Sequence, residues 1–517
     1  MQDTPHSGAS GWLKQLGLRK DVAQVQSEYD NGELKKTLGP FNLILLGIGC
    51  IIGAGIFVRT GSAAAMHAGP AVMLSFVIAG VICGFAGLCY AELASMLPVS
   101  GSAYTYAYTT LGEFPAWIMG ALLVLEYGLA ASVVAVGWSG YVVSFLHDFG
   151  LVIPPQFTSA LGVPVTLADG STISGVFNLP AALIVLAIGG LLTLGVKESA
   201  TVNNIIVAIK VTVIVVFCAV GAYHVNPDNW SPFIPPQSVD ASGTPVTGEF
   251  GFSGVLRAAT IVFFAYIGFE AVSTAGQEAR NPRRDMPVGI LGSLIICTVL
   301  YMATSAVLTG VVPYPQLNSA APVADAVNHF EAGWKWLAVA IKIGAIAGLT
   351  SVILVLMYAQ TRIFYTMARD GLLPDSLAKV NPKLQTPVIN TLFVAVIVAI
   401  AGGLFDINTI GDLTSVGTLA AFAIVCLTVI WLRRTRPDLK RDFKTPLYPV
   451  TPVLGIVSCL FLMFQTPPKV QIFFAAFILL AATVYIVYGH KHSRLAHGVR
   501  IKGHEPSPDE IFSPHED

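Results

Sequence analysis

Apolar stretches long enough to cross a bilayer recur along the whole chain, and this pattern limits the possible folds more than any other feature. A transmembrane helix needs about 20 mainly apolar residues, with a range of about 17–25. Twelve such stretches can be drawn, although the boundaries within 388–432 are soft and the eleventh stretch is short. Numbered spans 1 to 12, they cover residues 41–59, 70–97, 114–147, 179–196, 200–223, 253–277, 287–311, 335–367, 388–405, 409–432, 450–465 and 470–489. The sequence predicts an all-α polytopic membrane protein with 12 transmembrane helices.

Composition supports a membrane protein and argues against several other classes. Charged residues make up 11% of the chain, whereas a soluble domain carries about 25%. The formal net charge is −1, so no basic surface for nucleic acid is expected. The seven cysteines form no C-x-x-C pair and the ten histidines show no metal-ligand spacing, so neither a metal nor another cofactor is expected. Residues 1–38 are polar and lack an apolar core, so no cleavable signal peptide is expected.

The placement of lysine and arginine predicts the orientation of the chain. With both termini in the cytoplasm, 23 of the 29 Lys and Arg residues fall on the cytoplasmic side and three fall outside or near the outer ends of spans. This bias is what the positive-inside rule predicts. Removing one span would invert everything after it and destroy the bias, so twelve spans with both termini inside fit best.

The first span is interrupted by glycine. Residues 47–57 read GIGCIIGAGIF, with four glycines in nine positions. Each glycine in a helix interior costs about 1 kcal/mol relative to alanine. In a bilayer, backbone outside a helix is tolerated only where it is buried in protein or lines a cavity. The interruption therefore indicates a binding site near the middle of the membrane, and the alternative is a small-residue surface for helix packing.

A second interrupted segment, residues 260–270 with the sequence TIVFFAYIGFE, lies in span 6. Interruptions at corresponding places five spans apart indicate an inverted five-plus-five repeat. Unwound backbone exposes N–H groups at the start of one half-helix and C=O groups at the end of another, which suit a carboxylate and an ammonium group. These are the two ends of an α-amino acid. The small residues that leave such a ligand room are Gly53, Ala54, Gly55, Ala265 and Gly268.

The inverted repeat divides the chain into segments. Spans 1–10 form the two halves, and the last two spans are additional. The expected division is a cytoplasmic N-terminal segment (1–38), a first repeat with spans 1–5 (39–223), an extracellular loop (224–252), a second repeat with spans 6–10 (253–432), spans 11 and 12 (433–489) and a cytoplasmic tail (490–517).

Several segments, in the same order along the chain, resemble motifs of the amino acid–polyamine–organocation superfamily. Over about residues 33 to 490 the chain is similar to the bacterial cationic amino acid transporter family, whose members also include carriers of neutral amino acids. The segments that carry the resemblance are 47–57 for the first helix, 263–270 with Glu278, Asn281, Pro282 and Pro287 for the sixth helix and the loop after it, 125–130 (LEYGLA) in span 3 and 369–374 (RDGLLP) after span 8.

The resemblance implies a five-plus-five inverted repeat (LeuT-like) with broken helices 1 and 6 and two extra C-terminal helices. It implies a multi-pass protein of the bacterial inner membrane, with the lipid bilayer, an amino acid and a proton as its partners. The carboxylate-binding turn of the family falls on Ala54 and Gly55, with Gly53 beside them. Some relatives have a hydroxyl side chain in place of Ala54, so carboxylate binding would rest on backbone N–H groups. The ammonium-binding carbonyls fall on Ile51, Phe264, Ala265 and Ile267, and the Phe264 ring would act as a gate.

Lys210 lies inside span 5, among apolar neighbours. A span that begins near residue 201 places it about 13 Å from the helix start, which is roughly twice the reach of a lysine side chain. Snorkelling to the interface therefore requires a late helix start. The alternative is a lysine that exchanges a proton, because burial disfavours the charged form. The resemblance matches Lys210 to the lysine that, in proton-coupled relatives, replaces a sodium ion between helices 1 and 8.

The other charged residues within spans have open roles. Glu126 could bind an unwound backbone segment, or it could contact the substrate and favour cationic ligands. Glu270 could serve structure or gating. Arg257 and Lys342 lie near the drawn ends of spans, so their side chains are expected to reach the interface.

Taken together, these features predict a secondary amino acid transporter that is proton-coupled and works by alternating access, for small neutral or cationic amino acids. An uncoupled facilitator or exchanger, in which Lys210 is a fixed cation, is the alternative within the same class. A receptor that binds an amino acid without moving it is a weaker alternative, because no large soluble signalling domain is evident. No nucleophile–base pair is visible, so an enzyme is not expected.

Overall fold

A computed structural model describes residues 15–20, 38–98, 101–166, 171–195, 200–330 and 332–497. The regular structure is almost entirely helical, with one antiparallel hairpin of strands β1 (Pro164–Thr166) and β2 (Thr172–Ser174). The α-helices are α1 (Pro40–Ile51), α2 (Thr60–Ala63), α3 (Val72–Met96), α4 (Ser102–Thr110), α5 (Glu113–Leu123), α6 (Ala130–Asp148), α7 (Leu179–Thr193), α8 (Ala200–Gly221), α9 (Gly251–Phe263), α10 (Pro282–Val311), α11 (Pro322–Ala326), α12 (Lys335–Arg369), α13 (Val388–Leu404), α14 (Ile407–Thr435), α15 (Val450–Met463), α16 (Pro468–Val484) and α17 (His490–His492).

The helices coincide with the predicted apolar stretches. Among the described residues, eight helical stretches are long and apolar enough to cross a membrane, and four further apolar helices are shorter. Together they overlap all twelve predicted spans, so a mostly helical, polytopic membrane protein is confirmed. The largest difference is in α10, which begins at Pro282 rather than at the predicted residue 287. Hydropathy did not predict its first turn, because that turn is polar. The Asp285 carboxylate accepts a hydrogen bond from the Asn281 N–H and so stabilises the start of the helix.

The helical bundle has two distinct ends. The end that carries the β1–β2 hairpin is called the hairpin end, and the end that carries residues 15–20 and α17 is called the tail end. At the tail end, the buried Glu113 carboxylate accepts hydrogen bonds from the side chains of Gln15, Tyr108, Tyr485 and Ser493. The chain before α1 and the chain after α16 are therefore tied together at one carboxylate.

The two predicted interruptions are confirmed as breaks in helical structure. Helix α1 ends at Ile51, and Ile52 has extended backbone with ψ 96°. The chain then resumes as a π-helical turn at Gly55–Arg59. Helix α9 ends at Phe263, and after one 3₁₀ turn Ile267 is extended with ψ 130°. After this break, the second broken helix continues as a 3₁₀ segment, Glu270–Glu278.

Candidate functional site

The two breaks lie against each other in the core of the bundle. A Cβ atom added to Gly55 would lie 2.2 Å from the Cα atom of Ala265, and one added to Gly268 would lie 2.9 Å from the carbonyl carbon of Cys50. Gly268 has φ +116°, which side-chain-bearing residues rarely adopt. Glycine is therefore required at both positions for the backbones to meet. The sequence-predicted residues of the first and second breaks are brought together.

Tyr301 of α10 joins the carbonyl ends of the two breaks. Its hydroxyl oxygen lies 2.9 Å from the carbonyl oxygen of Ile51 and 2.9 Å from that of Ala265. One hydroxyl hydrogen can be donated to only one of these carbonyls at a time. Two of the four predicted ammonium-binding carbonyls thus converge on one point. Tyr301 was missed at the sequence level because a tyrosine in an apolar span carries no signal that distinguishes it from a packing residue.

The other predicted backbone groups lie close by. Gly53 follows the extended residue Ile52, and an added Cβ atom there would make only ordinary contact with Val352, at 3.5 Å. Ala54 is fully buried. The Phe264 carbonyl accepts a hydrogen bond from the Ile267 N–H at 3.3 Å. The arrangement thus offers N–H groups on one break and carbonyl groups on both.

Lys210 is buried and does not snorkel, with a relative exposure of 1%. Its ammonium group donates to the carbonyl oxygens of Gly49 at 2.8 Å and Ile52 at 3.2 Å. A Cβ atom added to Gly348 of α12 would lie 2.7 Å from Cδ of Lys210, so the stem of the lysine packs on that glycine. The cation therefore lies between α1 and α12, at the C-terminal end of α1 where the helix dipole favours positive charge.

A buried ionic cluster lies beside the site at the hairpin end. The Arg59 guanidinium is 2.9 Å from one carboxylate oxygen of Asp412, and the Arg257 guanidinium contacts the other. Arg257 is therefore paired inside the protein, and the expectation that it reaches the interface was wrong, because Asp412 gives it a buried partner. The Arg59 guanidinium also lies over the Phe264 ring, 5.7 Å from its centroid. Asp412 was missed although it lies within span 10, where a carboxylate is itself a signal of function.

Replacing Asp412 with asparagine is expected to destabilise the protein strongly. Two buried guanidinium groups would lose the carboxylate that both contact, and breaking a buried ion pair costs about 3–5 kcal/mol. The melting temperature of the purified protein in detergent measures the effect. The control is Asp438→Asn, which removes an exposed pair with Arg436 and should leave the melting temperature nearly unchanged, because exposed ion pairs contribute little. Equal melting temperatures for the Asp412 and Asp438 variants would contradict a structural role for the cluster.

Glu126 and Glu270 are neighbours in the core. The Glu270 carboxylate accepts from the Gly268 N–H at 3.0 and 3.1 Å, so Glu270 braces the second break. Glu126 is fully buried, and within the described part of the chain neither of its carboxyl oxygens has a hydrogen-bond partner. The two carboxyl groups act on each other electrostatically. Within the described part of the chain, Glu126 therefore makes no hydrogen bond to a broken-helix backbone.

A cavity of about 180 Å³ opens near the tail end. Its lining comes from the half of each broken helix that faces this end, and from α4 and α12. The wall includes Cys50, Tyr127, Ala271, Glu278 and Arg362. Cys50 in this wall lies against Gly268 of the second break. A second cavity of about 240 Å³ lies at the hairpin end, and Arg257 and Asp412 of the ionic cluster are in its wall.

Comparison with known proteins agrees with this architecture. The family model for amino acid permeases matches residues 38–488. The chain belongs to the amino acid permease family. The permease is 47% identical to the branched-chain amino acid permease BcaP of Bacillus subtilis, over 93% of this chain and 100% of the relative. It is 44% identical to the methylthioribose transporter of the same species, with the same coverage. It is 38% identical to the vacuolar cationic amino acid transporter 4 of Arabidopsis thaliana, over 82% of this chain and 68% of the relative.

Proposed function

We propose that this permease is a secondary active transporter of neutral amino acids, coupled to protons and working by alternating access. The observation that carries the proposal is the backbone contact between two broken helices, five spans apart, around converging carbonyl groups. The proposed architecture has twelve transmembrane helices, ten of them in a five-plus-five inverted repeat. The proposed location is the bacterial inner membrane, with both termini in the cytoplasm.

In this proposal the substrate binds by its two charged ends. The carboxylate lies at the N–H groups of Gly53, Ala54 and Gly55, where the dipole of the resumed helix favours an anion. The ammonium group lies at the carbonyls of Ile51, Phe264, Ala265 and Ile267. The Tyr301 hydroxyl already occupies the point between the Ile51 and Ala265 carbonyls. An ammonium group has three donors, so it can satisfy both carbonyls at once where the hydroxyl cannot.

The charges around the site support a neutral side chain on the substrate. Among the described residues, Arg59 and Arg257 both form ion pairs with Asp412, so two cations lie near Phe264 and would repel a positively charged side chain. Glu126, the acid that could attract a cationic ligand, is fully buried and is not among the residues that line the cavity near the tail end. The similarity to the branched-chain amino acid permease also favours neutral ligands.

Competition against uptake tests the substrate class. L-Isoleucine and L-alanine are expected to inhibit labelled amino acid uptake into proteoliposomes at concentrations at least about tenfold lower than L-arginine does, a difference of about 1.4 kcal/mol. Arginine as the stronger inhibitor by the same factor would reverse the assignment and make Glu126 a candidate substrate ligand. Methylthioribose belongs in the panel because a relative carries that name. Methylthioribose lacks both charged ends of an amino acid. If it inhibited uptake and no amino acid did, the proposed use of the broken helices would be contradicted.

Lys210 is the proposed coupling residue. Its protonated form holds the end of α1 through the carbonyls of Gly49 and Ile52 and packs on α12 at Gly348. Loss of the proton removes the charge that ties these helices together, and substrate release to the cytoplasm follows. With the tail end inside the cell, the cavity near that end is the proposed release path. The alternative, an uncoupled facilitator or exchanger, keeps Lys210 permanently charged.

A further inference from the structure

A buried pair of carboxyl groups remains after the substrate and coupling sites are assigned. Glu126 and Glu270 come from different helices, and both are fully buried. The groups that act on them electrostatically are each other and the backbone N–H groups of Gly268 and Glu270. No cation is among these groups in the part of the chain that the structure describes. Two adjacent carboxylates without a cation repel each other strongly in a medium of low dielectric constant.

Polar side chains surround the pair without satisfying it. Neither oxygen of Glu126 has a hydrogen-bond partner among the described residues, and the same holds for the hydroxyl groups of Tyr90 and Tyr127 and for the Gln360 amide. All of these side chains are at least 98% buried. The titratable groups that face the pair are Tyr90 and Cys83 of α3 and Tyr127 beside Glu126. Tyr106 of α4 and Cys50 of α1 lie next to Tyr127 in turn. Each of them is neutral in its protonated form, so none supplies the missing positive charge.

We propose that Glu126 and Glu270 form a second proton-binding site, which holds one proton between the two carboxyl groups. Glu270 is the ionised member, because the Gly268 N–H donates to both of its oxygens. Glu126 carries the proton, because a carboxyl group that lacks other donors is best satisfied as a neutral acid that donates to its neighbour. The site is distinct from Lys210, whose ammonium group is bound to carbonyls of α1.

The position of this site links the proton to the second broken helix. Glu270 lies two residues after Gly268, the residue with φ +116° at the break. The Tyr127 ring acts electrostatically with both acids and also lines the cavity near the tail end. If the segment from Gly268 to Glu270 moves away from Glu126, the two carboxyl groups separate. The cavity that Tyr127 lines then gives the released proton a path towards the tail end.

Infrared spectroscopy of the full-length protein in detergent tests the proposal without any transport. At pH 7 the wild type is expected to show the C=O stretch of one protonated, hydrogen-bonded carboxylic acid. Glu126→Gln should remove this band, because glutamine is neutral and Glu270 remains ionised beside it. Glu270→Gln should retain a band at a shifted frequency, because Glu126 stays neutral next to an amide. Glu113→Gln is the control, since Glu113 accepts from four side-chain donors as a carboxylate and should leave the band unchanged.

Each outcome has a defined meaning. Loss of the band in the Glu126 variant together with its retention in the Glu270 variant supports the shared proton. Absence of the band in the wild type, or a band that both variants leave unchanged, overturns the proposal. If one variant does not elute as a monodisperse protein, the other still discriminates, since each has its own expected spectrum. The result does not depend on substrate or on Lys210, so it can fail while the proposed transport function stands.

Discussion

Gly55→Val is expected to abolish amino acid binding and transport while the protein still inserts and folds as a helical bundle. A Cβ atom at this position would lie 2.2 Å from Cα and 2.3 Å from Cβ of Ala265, so the two broken helices would be forced apart at the proposed carboxylate site. Uptake in proteoliposomes should fall by about a hundredfold or more, which corresponds to about 2.8 kcal/mol.

The matched control is Gly84→Val. Gly84 also lies in an apolar helix, but no heavy atom lies within 4 Å of an added Cβ atom there. The two variants therefore pay a similar cost in helix propensity and differ in their contacts. Near-normal uptake by well-expressed Gly55→Val protein would show that the substrate does not bind at the contact between the breaks.

Lys210→Ala is expected to remove concentrative uptake, because the lysine that is proposed to exchange the proton between α1 and α12 would be absent. The carbonyls of Gly49 and Ile52 would lose their cationic donor, so exchange down a gradient should persist only weakly. Lys210→Arg should also fail to accumulate substrate, because a guanidinium group does not lose its proton in proteins. Accumulation and counterflow of labelled amino acid, measured side by side, separate the two activities.

A lysine-to-arginine substitution at another buried lysine controls for the effect of the larger side chain. Lys342 is another buried lysine, paired with Asp148 at 2.6 Å, and Lys342→Arg should retain concentrative uptake because that pair needs only a positive charge. If Lys210 is a fixed cation in a facilitator, Lys210→Arg should restore at least part of the wild-type flux. Full, pH-dependent accumulation by either Lys210 variant would eliminate this residue as the coupling site.

Much of the fold follows from local properties of the sequence. Hydropathy located the apolar stretches, since a helix that faces lipid must be apolar over its whole length. Glycine content located the first break, because four of the nine residues 47–55 are glycine and have low helix propensity. The second break, in residues 260–270, was located by its position five spans after the first. The polar first turn of α10 was not predicted. It is stabilised by the hydrogen bond from the Asn281 N–H to the Asp285 carboxylate, and hydropathy does not detect such a bond.

The pairing of side chains across helices could not be predicted in the same way. Tyr301 reaches Ile51 and Ala265, which are far from it in sequence, only because α10 packs on both breaks. Arg257 was predicted to reach the interface because it lies near the end of a span, but in the folded protein it is paired with Asp412. Such contacts depend on how helices rotate and cross, and a single sequence carries little information about either. A charged residue within a span gives the position of a site but not its partner.

Proton movement driven by substrate alone tests the central claim most directly. The purified protein is reconstituted with a pH-sensitive dye inside the vesicles, at equal pH on both sides, and L-isoleucine is added outside. If transport is coupled to protons, the lumen acidifies as isoleucine enters, and the Lys210→Arg substitution abolishes the acidification. Isoleucine entry through the wild type without any change in internal pH would contradict proton coupling and leave a facilitator.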